Sequence, residues 1–295
     1  MKILLVGLKN NPQVDRVREE GEKRGHTVDA VLSSELYINA SVDHFEPKLI
    51  HNDLSSYDLI YLWAATKRRW EWYATALYLN EKYNTKIVNN KIIDPSYHYY
   101  LTSVMDYWKL QKEGLLFPKT AVLYTSKAID AVIDDFNMPA ILRGMPGRKG
   151  KTVSMVNNKQ DIIKEMAELD EYCTAYSLRE FIPNDGDIRV FVIDYKAFAA
   201  MKRTPKEGDF RSNISQGGSG AVFDIESNPE IRKIAERAAE LTQTEIAGVD
   251  IMIHSETQKP YILEINPGPQ FTGLEEFTGV NAAGEIIKYF EKVAS

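Results

Sequence analysis

The stretch PYILEINPGP, residues 260–269, limits the fold more than any other part of the chain. Tyr261-Ile262-Leu263 reads as a buried strand, yet Glu264 and Asn266 interrupt it just ahead of two prolines. Side chains alternate between the two faces of a strand. Strict alternation therefore puts Ile262, Glu264 and Asn266 on one face, with Tyr261, Leu263 and Ile265 on the other. A buried carboxylate needs a partner, and a cation is one candidate. The preceding GVDIMI and the turn HSETQK make this strand the second arm of a hairpin, which brings Asp250 near Glu264 and Asn266. Two carboxylates and an amide oxygen form an all-oxygen set, suited to Mg²⁺ or Mn²⁺ and not to zinc. An exposed hairpin face carrying ordinary polar residues is the alternative reading.

With 295 residues and 44% apolar content the chain can bury a substantial core, divided into two or three subdomains. The formal net charge is -6, from 36 basic and 42 acidic residues that are well interspersed. That balance argues against a generic nucleic-acid binder. Cys173 is the single cysteine, which excludes an internal disulfide and a thiolate zinc site. The apolar run in MKILLVGLKNNPQ is too short for a signal peptide, and no segment is long enough to span a membrane. The expected setting is the cytoplasm, without a membrane partner.

KILLVGL suits a buried parallel strand, and Asn11-Pro12 supplies an N-cap and a proline for a helix running to about Arg24, with Gly25 as its stop. HTVDAVL, YDLIYLW and KIVN follow as second, third and fourth strands, and EWYATALYLNEKY has helical spacing. This alternation predicts a small open α/β sheet over residues 1–90. Further on, LTSVMDYWKLQKEG and KAIDAVIDDF read as helices, PAILRG and AYSLREFI as strands, with a helix over 159–169 between those strands. DIRVFVIDYKAFAAMKR reads as a hairpin turning at Asp194-Tyr195-Lys196. Asn228-Pro229 opens a helix to about Thr244, and GEIIKYFEKVA closes the chain as another.

Two basic segments accompany the polar strand. In MKRTPKEGDFRSNISQGGSG, Lys202, Arg203, Lys206 and Arg211 precede Ser212, Asn213 and two glycines. Guanidinium forks and loop amides are what a transferring phosphoryl group requires, although such a run is more often a solvated face. In RGMPGRKGKTV, Arg143 leads into a glycine loop whose backbone N–H groups could cover phosphates, without Walker A or dinucleotide spacing. WAATKRRWEWY joins Lys67, Arg68 and Arg69 to three tryptophans. It reads first as a helix start with a solvated basic face and core aromatics, and second as a site for an acidic peptide. YHYYL, 97–101, reads as tyrosines packed between domains.

Taken in order, DIRVFVID, KRTPKEGDFRSNISQGG, AGVDIM and LEINPGP, followed by TGLEEFTGVNAAGEII, resemble the ATP-grasp superfamily, and within it the RimK-type amino-acid (glutamate) ligases. The resemblance is specific over residues 180–295; over 1–180 it rests on domain layout and FPKT. It implies an α/β chain with α+β lobes, in three units. These are an N-terminal open domain at 1–92, a central lobe at 93–182 and a C-terminal lobe at 183–295, with ATP held between the lobes. It implies that Asp250, Glu264 and Asn266 bind Mg²⁺ (or Mn²⁺). Glu180, Phe181 and Ile182 would hold adenine, and Asp187, Arg211, Ser212 and Asn213 the rest of the nucleotide. Arg203 would stabilise the acyl-phosphate and tetrahedral intermediates. Arg143 stands where the family usually has lysine, Thr152 replaces the last glycine of the loop, and a second family lysine falls near Ser103. The implied activity joins a small-molecule or peptide carboxylate to an amine at the expense of ATP. A nucleotide-binding module without turnover, acting through a partner, is the alternative, and a homo-oligomer is left open.

Overall fold

The computed structural model describes residues 1–64, 68–89, 91, 102–145, 152–169, 173–206, 208 and 218–295, and for residues 69 and 102–105 the backbone alone. The chain opens with β1 (Lys2–Val6), α1 (Pro12–Lys23), β2 (Thr27–Val31), β3 (Leu36–Ser41), β4 (His44–Leu49), β5 (Leu59–Leu62), α2 (Arg69–Tyr83) and β6 (Lys86–Val88). Four of these strands form a parallel sheet in the order β2-β1-β5-β6. Asn11 caps α1 as expected, its side chain accepting from the Gln13 N–H, and Gly25 takes φ +78° beyond the last turn. The antiparallel hairpin β3–β4 is an addition that the sequence reading missed. It carries little apolar periodicity because most of β3 is exposed.

A second, antiparallel sheet follows α3 (Thr102–Lys112). Its strands are β7 (Thr120–Leu123), β8 (Ala140–Met145), β9 (Val153–Val156) and β10 (Ala175–Glu180), in the order β7-β10-β8-β9. The expected helix KAIDAVIDDF shrinks to α4 (Ile129–Val132) between two 3₁₀ turns. Asp134 and Asp135 at its C-terminal end oppose the helix dipole. α5 (Lys159–Leu169) lies where the periodicity put it.

The third sheet is antiparallel and five-stranded, in the order β13-β12-β11-β14-β15. Its strands are β11 (Asp187–Ile193), β12 (Lys196–Thr204), β13 (Ser219–Phe223), β14 (Ile246–Ile253) and β15 (Pro260–Asn266). The β11–β12 turn is tighter than expected: Asp194 and Tyr195 both have positive φ, and Lys196 already belongs to β12. α6 (Pro229–Leu241) stops short of Thr244, and the Asn228 amide donates to Asp224 O and caps nothing. The short α7 (Thr272–Thr278) precedes α8 (Ala282–Ala294).

The two faces of this sheet have different fates. Val190, Val192, Val249, Ile251 and Ile262 pack under α6 on one face. On the other face, Phe191 and Met201 join Leu5, Tyr61, Phe271 and Phe290 in one core shared with the first sheet and α8. The N-terminal unit therefore has no separate core on that side. It covers half of the face and leaves the half that carries Asp187, Arg189, Arg203, Asp250 and Glu264 for the second sheet. Among the described residues no helix is long and apolar enough to cross a membrane.

Candidate active site

β14 and β15 pair so that Asp250 stands directly opposite Glu264, and Gly248 opposite Asn266. The three oxygen-bearing side chains thus occupy one face, as the alternation predicts. Ile262 does not share it. The register shifts between Asp250 and Ile251, so that Ile251 faces Ile262 and Leu263 is the extra residue of a β-bulge. One inserted residue reverses the parity of a strand, and Ile262 turns into the α6 core, 2% exposed. The bulge lets a strand anchored by a buried isoleucine deliver Glu264 to the opposite face two residues later.

Each carboxylate on this face meets an arginine. Asp250 accepts two hydrogen bonds from Arg189, Nε to Oδ1 and Nη2 to Oδ2, both at 2.7 Å. Arg203 reaches Asp250 Oδ2 at 3.0 Å and grips Asp187 with Nε (3.2 Å) and Nη2. Registry explains the set: Arg189 lies opposite Asp250 across β11–β14, and Arg203 opposite Asp187 across β11–β12. Gly186 permits this pairing, because a Cβ there would sit 2.1 Å from Arg203 O and its φ is +123°. Burial works against the charge of Asp250, but Arg189 and Arg203 hold its carboxyl below the usual range. Burial likewise opposes the charge of Arg203, and Asp250 and Asp187 raise its pKa nonetheless.

The second sheet faces this row. From β8, Arg143 donates Nη1 to Glu264 Oε2 at 3.0 Å and Nη2 to Oε1 at 2.7 Å, a two-pronged bridge between sheets. Glu264 raises the pKa of Arg143. Burial opposes ionisation of Glu264, while Arg143 keeps it below the ordinary carboxylate range. Glu264, far along the chain, is thus the counter-charge that the protein itself offers Arg143.

Of the remaining expected residues, Glu180, Phe181 and Ile182 lie where β10 runs on towards β11. Glu180 ends β10 with Oε1 accepting the Lys119 N–H at 2.7 Å. Phe181 and Ile182 link the two sheets, and Ile182 is 5% exposed. Arg211, Ser212 and Asn213 lie outside the described residues, as do Lys67, the tyrosines at 97–100 and most of the glycine loop. Of WAATKRRWEWY, Trp72 and Trp63 are core residues, with the Trp72 indole donating to Ser33 O at 2.9 Å, while Trp70 is 43% exposed. Sequence reasoning passed over Arg189. Its position two residues after Asp187 on an alternating strand was the available signal.

The N-terminal unit fixes the chain just beyond Asn266. Asn89 donates Nδ2 to Pro267 O at 2.7 Å and accepts from the Ile246 N–H, and the Phe271 N–H donates to Gln13 Oε1 at 2.7 Å. Gly268 lies so close to Trp63 that a Cβ would come within 2.2 Å of its carbonyl oxygen. The donor chemistry of Asp250, Glu264 and Asn266 fits Mg²⁺ or Mn²⁺. Both carboxylates share their charge with arginines, so a cation would compete with Arg143 for Glu264.

Two antiparallel sheets bridged by paired charges, behind an open α/β unit, have the layout of the ATP-grasp fold. Solved structures support that class over nearly the whole chain. The ATP-grasp ligase PsnB, complexed with a phosphomimetic variant of its minimal precursor, Mg and ADP, matches 99% of this chain and 98% of its own at TM-score 0.69 and 18% identity. D-alanine–D-alanine ligase from Bacillus anthracis, complexed with ATP, matches 100% and 96% at TM-score 0.68 and 14% identity. The chain belongs to the RimK-like ATP-grasp family, whose domain model matches residues 107–290. A probable alpha-L-glutamate ligase of Legionella pneumophila (strain Corby) is 33% identical over 188 residues. That match covers 63% of this chain and 61% of the relative, less than two thirds of the relative's length.

Proposed function

We propose that the protein is an ATP-dependent carboxylate–amine ligase acting on amino-acid or peptide substrates through an acyl phosphate. The observation that carries this reading is the juxtaposition of Asp250, Glu264 and Asn266 with buried Arg203 on one sheet face, opposite Arg143 of the facing sheet. A carboxylate oxygen of the first substrate attacks the γ-phosphorus of ATP, and ADP leaves. The amine then attacks the acyl carbon, phosphate departs with the former carboxylate oxygen, and the amine gives up its proton. No protein nucleophile is needed, because orientation and charge stabilisation supply the catalysis.

Within this reading the three units span residues 1–92, 93–182 and 183–295. Glu180, Phe181 and Ile182 hold the base, and Asp187 with Arg211, Ser212 and Asn213 the remainder of the nucleotide. Arg143 exchanges Glu264 for phosphate oxygens. Arg203 donates to the negative charge that gathers at the acyl centre, held in place by Asp187 and Asp250. A magnesium ion held by Asp250, Glu264 and Asn266 would neutralise phosphate charge. L-glutamate is the first amine to try, given the name of the Legionella relative. Release of ADP that requires both an acid and an amine supports the reading. Nucleotide binding with no such release, across amino-acid and peptide panels, would favour a module without turnover.

A further inference from the structure

Arg143 is not the only arginine that crosses from the second sheet to β15. Ser177 pairs with Arg143 and Arg179 with Ile141, so Arg143, Ser177 and Arg179 share one face. Arg179 Nη1 donates to Leu263 O at 2.9 Å. Two guanidinium groups therefore hold consecutive residues of β15, one by a carboxylate and the other by the backbone. Leu263 is the bulged residue, without a register partner on β14. Its neighbour is tied as well, since the Ile262 N–H donates to Leu116 O at 2.8 Å.

Arg179 is itself braced. Nε donates to Oγ of the fully buried Ser177 at 3.2 Å, and Nη2 to the Tyr107 hydroxyl at 2.6 Å. The Tyr107 ring packs on Phe117, centroids 5.2 Å apart. We infer that Arg179 is a positioning residue, which aims Glu264 at the cation by holding the bulge carbonyl of Leu263. The inference rests on the reading of Glu264 as a metal-holding residue. The two arginines differ in what nucleotide binding does to them. Arg143 occupies the carboxylate that a cation needs and has to let go of it, whereas Arg179 holds a carbonyl that no bound group requires. Its contact persists through the exchange and fixes where the freed carboxylate points. Loss of a group that orients a ligand from behind it typically costs about 10–100-fold in metal affinity.

The test is Mn²⁺ titration by calorimetry and electron paramagnetic resonance, with ADP saturating, on wild type, Arg179→Met, Arg179→Lys and Tyr107→Phe. Arg179→Met should weaken Mn²⁺ binding by about tenfold, the lower end of the range for loss of orienting groups, because removing its charge near Glu264 also eases the approach of a cation. Metal-free ADP affinity should change by less than Mn²⁺ affinity does, because the Arg179 fork is spent on Ser177, Leu263 and Tyr107. Arg179→Lys should recover part of the loss. Tyr107→Phe, which removes only the brace, should shift affinity the same way by less, and serves if Arg179→Met fails to fold. Wild-type binding of Mn²⁺ with equal affinity in Arg179→Met, or in Tyr107→Phe when it alone folds, overturns the inference and leaves the reading of Glu264 standing. A wild type that takes up no Mn²⁺ with ADP present overturns that reading instead.

Discussion

Removing Arg143 should move two affinities in opposite directions. In the protein alone its two charge-assisted hydrogen bonds tie up both oxygens of Glu264. Charged hydrogen bonds are worth about 1.5–3 kcal/mol each when well buried. Here Arg143 is 26% and Glu264 36% exposed, so solvent screening reduces the pair together to about 1–2 kcal/mol. A cation arriving without nucleotide has to overcome that bridge. In Arg143→Met the bridge is gone, and Mn²⁺ binding without nucleotide should strengthen by about 5–30-fold, the equivalent of that energy. With Arg143 proposed to contact phosphate, the same variant's affinity for a non-hydrolysable ATP analogue should fall by about 1.5–3 kcal/mol. Arg143→Lys should recover part of the nucleotide affinity, since it restores the charge without the fork. Calorimetric titration of Mn²⁺ with and without the analogue reads both effects. Unchanged Mn²⁺ affinity without nucleotide would refute the competition, and unchanged analogue affinity would make Arg143 purely structural.

Arg203→Lys keeps the charge between Asp187 and Asp250 but loses the fork, so kcat should drop by about 10²–10³-fold, as for loss of an oxyanion donor; a fall in ATP affinity alone, rescued at high ATP, would contradict this role. Glu291 joins α8 to the N-terminal unit by accepting from Arg24 Nε at 2.9 Å and meeting His26 Nε2 at 2.8 Å, contacts that pull its pKa down to about 2. Its stabilisation is present above the unfolded value of 4.5 and lost as pH falls towards 2, so Glu291→Gln should cost about 1 kcal/mol at neutral pH and lose that sensitivity in acid denaturation. Lys91 is 7% exposed and donates to Thr242 O and Thr244 Oγ1, and burial lowers its pKa to about 8. A depressed lysine costs stability below its folded pKa and ceases to do so above the unfolded 10.5. Relative to Lys91→Met, wild type should therefore gain about 3 kcal/mol as pH rises through that interval, measured by denaturant unfolding.

The common face of Asp250, Glu264 and Asn266 was legible because alternation is local and each has its neighbours on its own strand. Asp187 and Arg203 were singled out by the family resemblance, and it is the β11–β12 register that sets them opposite each other. The face of Ile262 was not legible, since a bulge reverses parity and nothing in PYILEIN announces one. Arg143 and Glu264 are 121 positions apart, so no local pattern marks the bridge. Arg179 was hidden for the same reason: its partner is a backbone carbonyl 84 positions away, which no residue type marks. The hairpin β3–β4 was lost because it is exposed on most positions and turns at Val42-Asp43 without glycine. The four-stranded parallel sheet was readable because its strands β1 and β5 are almost wholly buried.

The proposed ligase activates an acid as its phosphate beside Arg143 and Arg203. Turnover with an acid carrying ¹⁸O in its carboxylate, an amine and unlabelled ATP tests it most directly. The bond changes proposed above move one carboxylate oxygen into the phosphate released, so mass spectrometry should find one ¹⁸O per phosphate and one ADP per amide. Glu264→Gln should stay folded and produce neither. ADP formation with unlabelled phosphate would mean that water and not a carboxylate attacks ATP, and would contradict the ligase account.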